Sequence, residues 1–86
     1  MDNPLGVLNH VKHAFGVEDA YYATRFDVNV DDVELQVVVR DAGVPAGPQR
    51  YVVTILRDDK VLAEAGPEAD LPTTLRNAYS KAKSHF

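Results

Sequence analysis

The stretch Tyr22–Arg40, YATRFDVNVDDVELQVVVR, decides the fold. Tyr22, Thr24, Phe26, Val28 and Val30 point one way, while Tyr21, Arg25, Asp27 and Asn29 point the other. After Asp31-Asp32 the same alternation sets Val33, Leu35, Val37 and Val39 against Glu34, Gln36 and Arg40. Strand side chains repeat with period two, so the pattern describes a β-hairpin with one apolar and one more polar face. A two-residue turn at Asp31-Asp32 sets Val30 opposite Val33, Val28 opposite Leu35 and Phe26 opposite Val37. A four-residue turn over Asn29–Asp32 pairs Val28 with Val33 and Phe26 with Leu35 instead. Apolar meets apolar in both cases, so the hairpin does not depend on turn type.

C-terminal to the hairpin, Asp41 to Gln49 carries two glycines and two prolines and reads as an exposed loop and a candidate contact element. Residues 50–57 read as a third strand, and Asp58-Asp59 as a second tight turn into a fourth strand over 60–65. Regular pairing across that turn sets Leu56 against Val61 and Thr54 against Ala63 on one face. On the other it sets Ile55 against Leu62 and Val53 against Glu64. Both faces of the third strand are apolar, which suits a sheet covered on two sides.

Two helices flank these strands. Asn3-Pro4 is a favourable cap and first helical residue, and Leu5, Leu8, Val11 and Phe15 follow at helical spacing, so a helix is predicted over 4–15, closed by Gly16. Leu71, Leu75, Ala78, Tyr79, Ala82 and Phe86 recur at three- and four-residue steps, which predicts a second helix over 72–85. The chain is thus a single α+β domain, 1–86, in the order α-β-β-β-β-α: a meandering antiparallel sheet with the N- and C-terminal helices packed on one face. If both helices cover one face, Tyr21, Val38, Tyr51, Val53, Ile55 and Leu62 form an apolar set on the other, a candidate surface for a protein partner or a homodimer.

In order of elements the chain resembles the double-stranded-RNA-binding domain, α-β-β-β-α. That family makes its RNA contact with a lysine cluster at the start of the last helix, where this chain has Asp70-Leu71-Pro72-Thr73-Thr74. What the resemblance implies, nucleic-acid binding, falls here to the basic residues further along that helix, Arg76, Lys81 and Lys83.

Composition narrows the classes. At 45% hydrophobic and 26% charged residues the chain is an ordinary soluble globule rather than a disordered or membrane protein. It has no cysteine, hence no disulfide or thiolate metal site, and neither a signal peptide nor a spanning run is evident; a cytoplasmic protein is expected. Net charge is −4, unevenly spread: all 13 acids precede residue 71, while Arg76, Lys81 and Lys83 follow it with none. That basic end can neutralise about 2–4 phosphates, but cations at a helix C-terminus are also what the helix dipole favours.

His10 and His13 sit three apart on the first helix without a third ligand in view, so no metal or cofactor is expected. Asp31-Asp32 and Asp58-Asp59 fall where tight turns are needed, and no nucleophile or base accompanies them. The expectation is therefore a small non-catalytic interaction or regulatory protein, of the type of phage or mobile-element inhibitors, binding a protein partner. The alternative is a nucleic-acid-binding module using the last helix.

Overall fold

The computed structural model describes residues 4–85. In chain order it has α1 (Pro4–Phe15), β1 (Tyr22–Val30), β2 (Val33–Asp41), a 3-10 segment (Val44–Gln49), β3 (Tyr51–Arg57), β4 (Lys60–Glu68) and α2 (Leu71–Lys83). The strands form one antiparallel sheet in the order β1-β2-β3-β4, so the predicted meander is the observed one. Asn3, the expected cap of α1, and Phe86, the last of the α2 stripe, lie outside the described residues.

Both hairpins close on two residues. Asp31 and Asp32 have φ of 51° and 66°, Asp58 and Asp59 of 51° and 64°, the left-handed pair of a turn whose twist matches that of the strands. Aspartate tolerates this backbone because its short polar side chain bonds locally. Val30 faces Val33, Val28 faces Leu35 and Phe26 faces Val37, so the two-residue alternative is the one adopted. Across β2 and β3, Val37 faces Ile55 and Val39 faces Val53.

The β3–β4 pairing departs from the regular ladder. Leu56 faces Val61, but the next pair is Ile55 with Ala63, followed by Thr54 with Glu64 and Val53 with Ala65. Leu62 is the extra residue of a β-bulge, and one extra residue exchanges the two faces of everything beyond it. Without the bulge Glu64 would lie beside Val53. With it, Ala63 and Ala65 join Val53 and Ile55, and Glu64 crosses to the opposite face.

That exchange lets α2 dock. Leu35, Val53, Ile55, Ala63 and Ala65 are buried against Ala78 and Ala82 of α2, with Val37, Val39, Leu62 and Leu71 packed around them. Asp70 caps α2 by accepting from the Thr73 N–H at 3.0 Å, and the buried Thr74 hydroxyl donates to the Asp70 carbonyl at 2.7 Å. The Thr73 hydroxyl and N–H hold the Asp70 carboxyl below the usual carboxylate range.

α1 contributes little of this cover. It closes where Gly16, at φ 64°, reverses the chain and the Val17 N–H donates to the Lys12 carbonyl at 3.0 Å. Leu8 is buried beside Gly43, away from the main core, whereas Val11 is exposed and Phe15 is 76% exposed. α1 thus sits by the segment after β2 and touches the sheet sparingly, through β1. The radius of gyration, 14.1 Å, exceeds the ~12 Å of a compact chain of this length, as a helix off the end of a sheet would make it.

Candidate interaction surface

α2 is one helix wide and lies over β3 and β4, two strands. The same face of the sheet continues across β2 and β1, where among the described residues α2 does not reach and α1 meets β1 only sparingly. Its floor is Tyr22, Thr24, Phe26 and Val28 of β1 with the half-buried Val37 and Val39 of β2. Its wall is the α2 ridge Leu71, Leu75 and Tyr79. That ridge faces β1 because the opposite flank is held to β4: Asn77 donates to the Glu68 carboxylate at 3.1 Å and Lys81 to the Glu64 carbonyl at 3.1 Å. A cavity of about 210 Å³ between Tyr22, Phe26, Val39, Tyr51 and Leu71 marks the deeper end of the trough. Tyr22, Phe26, Val28, Leu75 and Tyr79 are each 36–50% exposed along it. Lys83 adjoins the wall, its Nζ 5.4 Å from the centre of the Tyr79 ring.

The opposite face is mixed, and its central charged and polar groups pair with one another. Arg40 donates to the Glu64 carboxylate at 2.9 Å and to the Thr54 hydroxyl at 3.3 Å, and that hydroxyl donates to Glu64 at 2.9 Å. The Arg40 guanidinium also lies over the Tyr21 ring, 5.6 Å from its centre. Val38, Val52 and Leu56 are half-buried among these groups.

The predicted set of interface residues is therefore divided. Val53 and Ile55 are buried under α2 within a single subunit and Leu62 packs against the same core, so these three do not form an outward surface. Tyr51 shares their face at the end of the sheet. Val38 and Tyr21 stand on the opposite face, where Val38 alternates with Val37 and Val39 along β2 and pairs with Thr54. The reason is register: β2 meets β3 through the 42–49 segment, and the bulge at Leu62 sets which residues of β4 join them. Of the basic residues, Lys81 is bonded along β4 and Lys83 lies over Tyr79, whereas Arg76 is exposed on α2. His10 and His13 are exposed on α1, and among the described residues no group of three or more His, Cys, Asp or Glu is placed to hold a metal.

The 41–49 segment is tied at its neck. Asp41 accepts from the Gly43 N–H at 2.8 Å and from two nitrogens of Arg50, at 2.8 and 3.1 Å. Arg50 stacks on Tyr51, and the Ala42 N–H donates to the Arg50 carbonyl at 2.9 Å. Burial alone would raise the Asp41 carboxyl, but the Arg50 and Gly43 hydrogen bonds and the Arg50 charge outweigh it and hold the group below its ordinary value. A depressed carboxylate adds stability that is fully present above the unfolded-state value and disappears as pH falls through the folded one. Asp41→Asn is thus expected to lower Tm by roughly 4–8 °C at neutral pH, about 1 kcal/mol. Thermal melts over a pH series check this: the gap to wild type is full at neutral pH and closes in acid, as pH falls through the depressed folded-state value.

What the trough offers chemically is apolar area with a basic margin, and no described cluster of nucleophile, base and oriented partner lies within it. No helix among the described residues is long and apolar enough to cross a membrane. Comparison with protein families, curated proteins and solved structures finds no significant match.

Proposed function

We propose that the chain is a small cytoplasmic interaction protein of the regulatory or inhibitor type, acting by binding rather than catalysis, and that its trough receives an amphipathic helix of a protein partner. The half-covered sheet carries this reading: α2 occupies two strands and leaves the other two, with large apolar side chains, open beside it. Two strands span about 10 Å, the width of one helix with its side chains. One more helix would complete the layer. Tyr79, Leu75 and Phe26 supply the apolar anchors such a groove uses, and Arg76 and Lys83 beside the wall favour a partner helix with an acidic flank.

Site-specific photo-cross-linking tests it. A benzophenone side chain at Phe26 or Leu75 is expected to form a discrete adduct with one protein other than a second copy of this chain, mapped to an amphipathic segment, whereas the same group at Gln36 or Val61 on the opposite face forms none. The adduct from position 26 should vanish with Leu75→Asp, while circular dichroism shows the fold retained. Adducts from the opposite face, an adduct indifferent to Leu75→Asp, or cross-linking to nucleic acid would overturn the assignment, the last in favour of a nucleic-acid module.

A further inference from the structure

β1 is an edge strand, exposed along nearly its whole length, and the groups on its free side can be assigned. In a two-residue hairpin the residues flanking the turn form a hydrogen-bonded pair, and such pairs then alternate along the ladder. Val30 faces Val33 across the turn, so Val30, Val28, Phe26 and Thr24 bond inward to β2. Ala23, Arg25, Asp27 and Asn29 therefore turn their N–H and C=O groups outward, where no strand receives them.

The strand is also self-complementary. Phe26 is flanked by Arg25 and Asp27, opposite charges whose side chains are 60% and 66% exposed and only 3.7 Å apart. Laid antiparallel on itself with Phe26 at the centre, the strand sets Arg25 opposite Asp27 of the partner subunit, and Asp27 opposite Arg25 of the partner subunit. The same register sets Ala23 opposite Asn29 of the partner subunit. These are the residues whose backbone groups are turned outward, so charge pairing and backbone pairing demand one alignment. The other face then brings Phe26 against Phe26 of the partner subunit, at the closer non-hydrogen-bonded position where aromatic pairs interact best. Slipping by two residues sets Arg25 opposite Arg25 of the partner subunit in one direction and Asp27 opposite its copy in the other, so like charges oppose the alternatives.

We infer that β1 pairs antiparallel with β1 of a second copy about a twofold axis through Phe26, joining the two sheets into one. The interface is isologous, as a closed dimer requires. It covers the unpaired edge that isolated sheets otherwise leave open to unwanted strands, and it places the two troughs side by side on one continuous face. The pairing stands on β1 alone and does not depend on the partner proposed for the trough.

Sedimentation equilibrium from low to high micromolar concentration tests it. The wild-type chain is expected to dimerise. Asp27→Arg and Arg25→Asp each place like charges opposite one another twice per dimer, and each should weaken association at least ~10-fold. Mixing those two variants restores complementarity and should give a heterodimer that neither forms alone. Asp27→Pro removes an outward N–H without touching the β1–β2 ladder and should give a folded monomer by circular dichroism. A wild-type chain that stays monomeric throughout, a dimer indifferent to the charge reversals and to Asp27→Pro, or mixed variants that do not associate would each overturn the inference. If the dimer forms and trough cross-linking fails, the trough assignment falls and the strand pairing stands.

Discussion

Gly66→Ala is expected to destabilise the protein by about 3 kcal/mol or more, a fall in Tm of roughly 12–24 °C. Gly66 has φ of 105°, a backbone that residues with a Cβ rarely adopt. Space is the larger effect. A Cβ there would run into the carbonyl oxygen of Tyr51 and sit 3.1 Å from the Cα of Val52, both backbone atoms of the neighbouring strand. Backbone cannot rotate aside as a side chain can, so β4 would have to leave β3. This is the second irregularity in that ladder: Val53 faces Ala65 but Tyr51 faces Glu68, so Gly66-Pro67 on β4 stand against Val52 alone and β4 carries one extra residue there. Losing it would disturb both the chain entering α2 and the α2 ridge that walls the trough. Gly16→Ala is the matched control, since Gly16 has φ of 64° with nothing within 4 Å of the added carbon. It should cost about 1–2 kcal/mol at most, the left-handed penalty alone. Thermal and urea melts of both variants make the comparison, and equal losses would mean that strain, not the closeness of Tyr51, accounts for Gly66.

The contrast between those glycines shows which features were legible before the fold. Period-two alternation is a property of neighbouring residues, so the Tyr22–Arg40 hairpin could be read directly, as could the amphipathic α2, while the choice between the hairpin's two turns, and hence its pairing, could not. Val53 and Ile55 lie under α2 rather than on an open face because the β2–β3 register sets them beside Val39 and Val37; the inserted Leu62 then decides which β4 residues join them. Nothing local marks Leu62 as a bulge; its presence is understandable only once α2 is seen to need Ala63 and Ala65 beneath it. Register between β2 and β3 was equally hidden, because the 42–49 connection imposes no spacing that composition reveals. The trough was half visible. Tyr22, Phe26 and Val28 read as the hairpin's apolar face, which two helices packed on one side of the sheet would cover. Leu75 and Tyr79 were read as part of the α2 stripe. A cue was nevertheless present in that stripe: its small members, Ala78 and Ala82, and its large ones, Leu75 and Tyr79, lie on different ridges. Small residues bury where a helix approaches a sheet closely, and the large ones beside them are left for another surface.

That division of α2 leads to the second large effect. Ala78→Leu is expected to cost about 1–3 kcal/mol, lowering Tm by roughly 4–24 °C. Ala78 and Ala82 are fully buried and face Ala63 and Ala65, so helix and sheet meet through methyl groups on both sides. A leucine there has no void to enter. Either it adopts a poor rotamer, or α2 lifts and opens the contact along β3 and β4, taking Leu71, Leu75 and Tyr79 with it. The same substitution at Ser80, on the exposed side of the helix, should change stability by no more than about 0.5 kcal/mol, because it adds apolar surface without displacing anything. The pair of melts separates overpacking from a general effect of adding leucine to this helix. Cross-linking from position 26 carries the argument further: lifting α2 should weaken partner capture by Ala78→Leu while Ser80→Leu leaves it intact. A well-tolerated Ala78→Leu would mean that α2 stands further from β3 and β4 than alanine-to-alanine contact allows, and the trough would lose its wall.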